Sequence, residues 1–154
     1  MNYGDPQKQI ATTASYPVED IVASVPANTN FTFQLYVHKE RALTETLLQR
    51  VWAAGIRTII VTIDSTSAGK READERVKTE QTISMPMTGT VSRNDKIRGG
   101  LTRTTGGFID NSLDWSDLAW FKRIWKGRLM IKGIQCVEDA ELAAQYGVHG
   151  IVLR

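Results

Sequence analysis

Apolar and polar positions along this chain switch between a period of two and a period of three to four, and the switches mark out its elements. Phe31, Phe33, Leu35 and Val37 alternate with Thr32, Gln34 and Tyr36, which predicts a strand with one apolar face and one hydrogen-bonding face. From Arg41 to Ala54, Leu43, Leu47, Leu48 and Val51 recur at helical spacing, and Gly55 follows as a stop. The near-continuous run from Thr58 to Asp64 suits a parallel strand buried on both faces. Asp114 caps a predicted helix carrying Trp115, Leu118, Phe121, Ile124 and Trp125, ended by Gly127. A strand over Arg128 to Ile134, a helix over Val137 to Tyr146 stopped by Gly147, and a strand from Gly150 to Leu153 complete the pattern. Near the start, Gln9 to Ala14 suggests a short strand and Tyr16 to Val22 a helix begun by Ser15 or Pro17.

Between Ser65 and Leu113 neither period is sustained, apart from a helical turn at Arg71 to Val77. The segment Ser84 to Gly107 is rich in breakers and poor in apolar anchors, and is expected to be the least ordered internal stretch.

Strands alternating with helices predict a parallel α/β architecture, either a doubly wound sheet or part of a (β/α)8 TIM barrel. A whole barrel takes about 250 residues. The 154 residues of this chain supply about five strand and helix units at roughly 30 residues each. No G-x-G-x-x-G motif follows a strand, which weakens the dinucleotide-binding alternative. Thr58 to Asp64 and Arg128 to Ile134 are joined through a crossover helix and should be neighbours, which would bring Asp64 and Lys132 to the same carboxyl-end mouth.

Composition narrows the class only slightly. With 42% hydrophobic and 23% charged residues, the chain is ordinary for a folded domain, and a net charge of +2 gives no global field for nucleic acid. Arg93, Lys96, Arg98 and Arg103 lack interleaved aromatics and read as a solvated loop. Cys136 is the one cysteine, so neither a disulfide framework nor a cysteine zinc site is expected. The first residues have no secretory pattern and no span reaches transmembrane length, so an intracellular, cytoplasmic setting without membrane contact is expected.

The candidate chemistry sits where apolar strands break into polar residues. Thr62 and Asp64 share a face in an extended chain, although this segment alone reads sooner as a strand cap leading into a turn. Lys132 ends an otherwise apolar strand, where an ammonium either meets an anion or snorkels to solvent.

Three blocks then coincide in order and spacing: Phe33-Gln34-Leu35-Tyr36-Val37; Val61-Thr62-Ile63-Asp64 with Gly69-Lys70-Arg71-Glu72-Ala73-Asp74; and Ile131-Lys132-Gly133 with Glu138-Asp139-Ala140. From about Gln9 onward the chain resembles the FMN-dependent α-hydroxy-acid dehydrogenase/oxidase family. The resemblance implies strands two to six of a TIM barrel with FMN at the carboxyl-end mouth, and a 2-hydroxy acid such as lactate oxidised to a 2-oxo acid by hydride transfer to the flavin. It assigns Gln34, Thr62 and Lys132 to the flavin ring, with Lys132 stabilising the anionic reduced form. It makes Tyr36 a substrate contact, Arg71 an arginine near the substrate mouth, and Asp64 the carboxylate that orients the catalytic histidine.

There are departures from the family pattern. Ala11 stands where a flavin-binding serine is usual, and Thr66 replaces a proline. The strand matching Gly150 to Leu153 runs in the family into S-N-H-G-G, whereas in this chain Arg154 takes the serine position. His38 and His149 do not match the general base and read as surface or packing residues. The expectation is therefore one incomplete barrel domain over residues 1–154 that does not turn over substrate alone. Two other readings remain open: a non-catalytic half-barrel that forms a homo-oligomer or binds a partner through its open edges, and a barrel enzyme using Lys132 as a Schiff-base lysine.

Overall fold

The computed structural model describes residues 8–65, 82–93 and 107–153. Its main body is a five-stranded parallel sheet. The strands are β1 (Lys8–Ala11), β2 (Phe31–Leu35), β3 (Thr58–Thr62), β6 (Arg128–Ile134) and β7 (Gly150–Leu153), in the spatial order β1-β2-β3-β6-β7. Helices α1 (Val18–Ala23), α2 (Arg41–Ala53), α3 (Leu118–Ile124) and α4 (Val137–Gln145) lie between successive strands. This is part of a (β/α)8 barrel.

The β-branched and aromatic runs form strands because each buries one whole face. Phe33, Leu35 and Val37 are fully buried, and they share a core with Leu47, Leu48 and Val51 of α2 and with Ile59 and Val61 of β3. Trp120, Phe121 and Trp125 join that core around α3, so these tryptophans pack sheet against helix and do not form a ligand cage. Alternation then turns Gln34 and Thr62 to the opposite face of the sheet.

Helix ends follow the glycines where the backbone needs them. Gly55 and Gly147 take φ of 90° and 64° just beyond α2 and α4, in the left-handed region that side chains disfavour. Asp114 does cap, but what it caps is a 3-10 turn, Trp115–Asp117. A reciprocal bond from the Asp114 amide to the Asp117 carboxylate closes a capping box before α3 begins at Leu118. The chain leaves α3 at Trp125 in extended conformation, before Gly127.

The irregular stretch expected after Ser65 is corrected in one place. Residues Thr82–Met85 (β4) and Thr90–Arg93 (β5) pair as an antiparallel hairpin, with Met85 matched to Thr90. The turn works because Gly89 takes φ of 69° and donates its amide to the Met85 carbonyl, while Met85 and Met87 are buried. The segment Ser84 to Gly107 is thus ordered in its first part. Residues 94–106, and the helical turn expected at Arg71 to Val77, lie outside the described residues.

Candidate functional site

The carboxyl ends of β2, β3 and β6 bring the candidate side chains together. Thr62 is in register with Lys132, and Val61 with Ile131, so the ends of β3 and β6 are level. The Ile63 amide extends the ladder by donating to the Lys132 carbonyl at 2.9 Å, and Asp64 follows. Lys132 Nζ then donates to Asp64 Oδ2 at 2.5 Å. The Asp64 side chain is 7% exposed and that of Lys132 is 36% exposed, so the ammonium shields a largely desolvated carboxylate.

Gly133 makes this approach possible. Its φ is 113°, and a Cβ there would stand 2.9 Å from Asp64 Cβ and 3.0 Å from the Asp64 amide nitrogen. The β6 to β7 register shifts between Lys132 and Ile134, around this glycine.

One strand away, Gln34 Nε2 donates to Thr62 Oγ1 at 2.9 Å, and both residues are buried. That bond uses one amide N–H and leaves the second, together with the carbonyl oxygen, as further hydrogen-bonding capacity. Tyr36 lies just past the end of β2, half-buried, and its amide donates to Thr12 Oγ1 at 3.0 Å. Four of the six expected site residues, Gln34, Thr62, Asp64 and Lys132, are therefore linked in two bonded pairs along neighbouring strand ends. Tyr36 follows just past the end of β2, and Arg71 and Thr66 lie outside the described residues. Ala11 is in register with Gln34 at the end of β1.

The two histidines are engaged in backbone contacts. His38 Nδ1 accepts from the Glu40 amide at 2.9 Å, and its ring stacks on Phe108 with centroids 5.6 Å apart. His149 Nδ1 accepts from the Leu129 amide at 3.1 Å at the amino end of the sheet. Both read as packing residues, as their positions in the sequence suggested. Among the described residues no cluster of His, Cys, Asp and Glu could hold a metal ion, and no helix is long and apolar enough to cross a membrane.

Charge beside the site is held by Arg41, at the start of α2. It bridges Asp117 at 2.5 Å and Asp110 at 3.2 Å, and its guanidinium lies over the Trp120 ring. The Arg41 hydrogen bond holds the Asp117 carboxyl below its ordinary range despite burial. For Asp110, burial acts upward, but bonds from the Ser112 hydroxyl and amide and from Arg41 outweigh it, so this carboxyl is also lowered. The cluster fixes the chain returning to the mouth: the Asp110 amide donates to the Val37 carbonyl, and the Lys39 amide to the Phe108 carbonyl.

The family model described as FMN-dependent dehydrogenase matches residues 7–153. The chain belongs to that family. A 2-hydroxyacid oxidase of Dictyostelium discoideum is 36% identical over 94% of this chain and 37% of its own length. The L-lactate dehydrogenase (cytochrome) of Saccharomyces cerevisiae is 35% identical over 95% of this chain and 25% of its own. In three dimensions, the recombinant flavin-binding domain of baker's yeast flavocytochrome b2 matches with a TM-score of 0.73 and 30% identity, covering 97% of this chain and 33% of that one. The chain thus spans well under half the length of these relatives.

The residues present suit the flavin of an FMN-dependent family. A flavin ring edge offers alternating N–H, nitrogen and carbonyl groups, and the Gln34 amide, Thr62 hydroxyl and Lys132 ammonium are a donor and acceptor set that can meet it. Two of the three are polar side chains buried on a strand face, which an apolar barrel lining would not require.

Sequence reasoning missed Thr12 and underrated Gly133. Thr12 carries no catalytic motif, and only the fold brings it against β2. Gly133 was part of a matched block, but its closeness to Asp64 depends on β3 and β6 pairing.

Proposed function

We propose that this chain forms the flavin-facing strands of an FMN-dependent enzyme that oxidises a 2-hydroxy acid to the 2-oxo acid. The observation that carries this reading is the pairing of Gln34 with Thr62 and of Asp64 with Lys132 at level strand ends. Bound FMN supplies the two-electron acceptor for the hydrogen that leaves the substrate carbon. Gln34 and Thr62 would hold the ring edge by hydrogen bonds from the amide and the hydroxyl. Lys132 supplies fixed positive charge where negative charge accumulates on reduction, and a preorganised charge costs no reorganisation at that moment. Asp64 is suited to orient a cationic proton acceptor and stabilise its charge, as the carboxylate of a triad does. Tyr36 is a substrate contact in this reading, and Arg71 keeps only the role that the resemblance implies, an arginine near the substrate mouth.

The two histidines of the chain are engaged elsewhere, so neither His38 nor His149 serves as the acceptor of the hydroxyl proton. General-base catalysis is typically worth about 10²- to 10⁴-fold, so the 154-residue chain by itself is expected not to turn over substrate. The contact of Lys132 Nζ with Asp64 Oδ2 speaks against the Schiff-base reading, which needs that nitrogen free to attack a carbonyl.

The test is titration of the chain with FMN, read by flavin fluorescence and absorbance, followed by anaerobic addition of glycolate, L-lactate or mandelate. Gln34→Leu and Lys132→Met should each weaken FMN binding. An extended chain carrying the family's following strands should bleach on adding the acid, while the 154-residue chain should not. A colourless, self-associating product in both forms would overturn the reading.

A further inference from the structure

Thr12 is fully buried, and its side chain is spent on the backbone of β2. Its hydroxyl donates to the Gln34 carbonyl at 2.7 Å and accepts from the Tyr36 amide at 3.0 Å, while its own amide donates to the same Gln34 carbonyl at 3.0 Å. The last register pair of β1 and β2 is Ala11 with Gln34, after which β1 turns away, closed by the Ala14 amide on the Ala11 carbonyl. In a parallel ladder that continued, the Tyr36 amide would meet the main-chain carbonyl at position 12. The Thr12 hydroxyl accepts from it instead, so it extends the ladder by one step beyond the end of the strand.

That step ties together the backbone of two residues assigned to the site, Gln34 in β2 and Tyr36 just past its end. With its hydrogen bonds made on both sides of Leu35, the backbone from Gln34 to Tyr36 is held extended, and the side-chain directions of both residues are set by that conformation. We propose that Thr12 is a positioning residue whose hydroxyl fixes the carboxyl end of β2 and thereby aims Gln34 and Tyr36 at the flavin and substrate. This rests on the reading of Gln34 and Tyr36 as flavin- and substrate-facing. Thr12 itself touches neither group.

The experiment compares Thr12→Val, which keeps the volume and removes the hydroxyl, with Thr12→Ser, which keeps the hydroxyl. In the flavin-free chain, two-dimensional NMR should show the Tyr36 amide and the Gln34 side-chain amide shifted in Thr12→Val and restored in Thr12→Ser. Tyr36 amide exchange should be faster in Thr12→Val by about 10-fold or more. With FMN added, Thr12→Val should bind about 5- to 20-fold more weakly, the equivalent of one neutral hydrogen bond, with a shifted flavin absorbance band. Thr12→Ser should match the parent on both counts. Unchanged Tyr36 and Gln34 resonances in Thr12→Val overturn the proposal, as does FMN affinity equal to that of the parent. Resonances that move and are rescued by serine, in a chain that binds no FMN in any form, support the positioning and overturn the functional reading instead. If Thr12→Val does not fold, the unaltered chain still decides: a Tyr36 amide exchanging at the rate of an unstructured peptide overturns the proposal, and one protected by about 100-fold or more supports it.

Discussion

Lys132 Nζ and Asp64 Oδ2, from residues 68 apart in sequence, meet at 2.5 Å across the ends of two adjacent parallel strands. Removing the ammonium takes one cationic partner from a carboxylate that is 7% exposed, whereas removing the charge from both residues leaves neither half of the pair to be desolvated. Lys132→Met should therefore destabilise the chain by about 1–3 kcal/mol, at the lower end because the lysine is 36% exposed. The double variant Asp64→Asn/Lys132→Met should cost less than the sum of the two single changes. Urea unfolding of the four proteins measures this, and strict additivity would show that the pair does not couple.

Gly133 makes a sharper structural prediction. Alanine there must adopt φ near 113° and place its Cβ 2.9 Å from Asp64 Cβ. Strain of about 1–3 kcal/mol is expected from the backbone alone. Its relief should push Asp64 away from Lys132, so Gly133→Ala should lower the midpoint of thermal unfolding and weaken FMN binding together. Full retention of both would mean that the β6 backbone relaxes freely.

Acid sensitivity should centre on Arg41. In the folded chain the Asp117 and Asp110 carboxyls are held below their ordinary range, while in the unfolded chain they titrate near about 3.9. The unfolded state then takes up protons first as the pH falls. The stabilisation is fully present above the unfolded value and is lost as pH drops through the lower folded values. Arg41→Gln should cost roughly 1–2 kcal/mol at pH 7, and the gap from the parent should shrink in acid. Denaturant titrations stepped down from pH 7 through pH 4 and below compare them, with the gap narrowing first below about pH 4 and closing only once the folded carboxyls are protonated.

The Arg50 and Glu19 pair has better hydrogen-bond geometry yet should matter less. Both guanidinium bonds are 2.8 Å, but the Glu19 side chain is 47% exposed and that of Arg50 34%. Water screens such a pair, and Arg50→Ala should cost under about 1 kcal/mol, with the effect shrinking further in 0.5 M salt. A larger loss would point to the Arg50 bond with the Pro86 carbonyl, which ties α2 to the turn between β4 and β5.

Much of the sheet was legible because burial writes itself into sequence. The period of two over Phe31 to Val37 separated a core face from a polar face, and the structure buries Phe33, Leu35 and Val37 while turning Gln34 toward Thr62. The hairpin of β4 and β5 was not legible. Its strands are four residues each, too short for a period to stand out, and its turn depends on a positive φ at Gly89 among many other glycines.

By itself the sequence determined the order of the strands and helices of the parallel sheet, the face on which polar residues such as Gln34 and Thr62 lie, and the blocks that carry the family resemblance. These are local properties, decided by spacing along one element. Only the tertiary structure decided which strand ends are level, and therefore that Lys132 meets Asp64, that Gly133 must lack a side chain, and that Thr12 carries the ladder on to Tyr36. Each of those depends on the pairing of segments far apart in the chain. Register and close approach come from the packing of the whole sheet, and no period in a single strand encodes them.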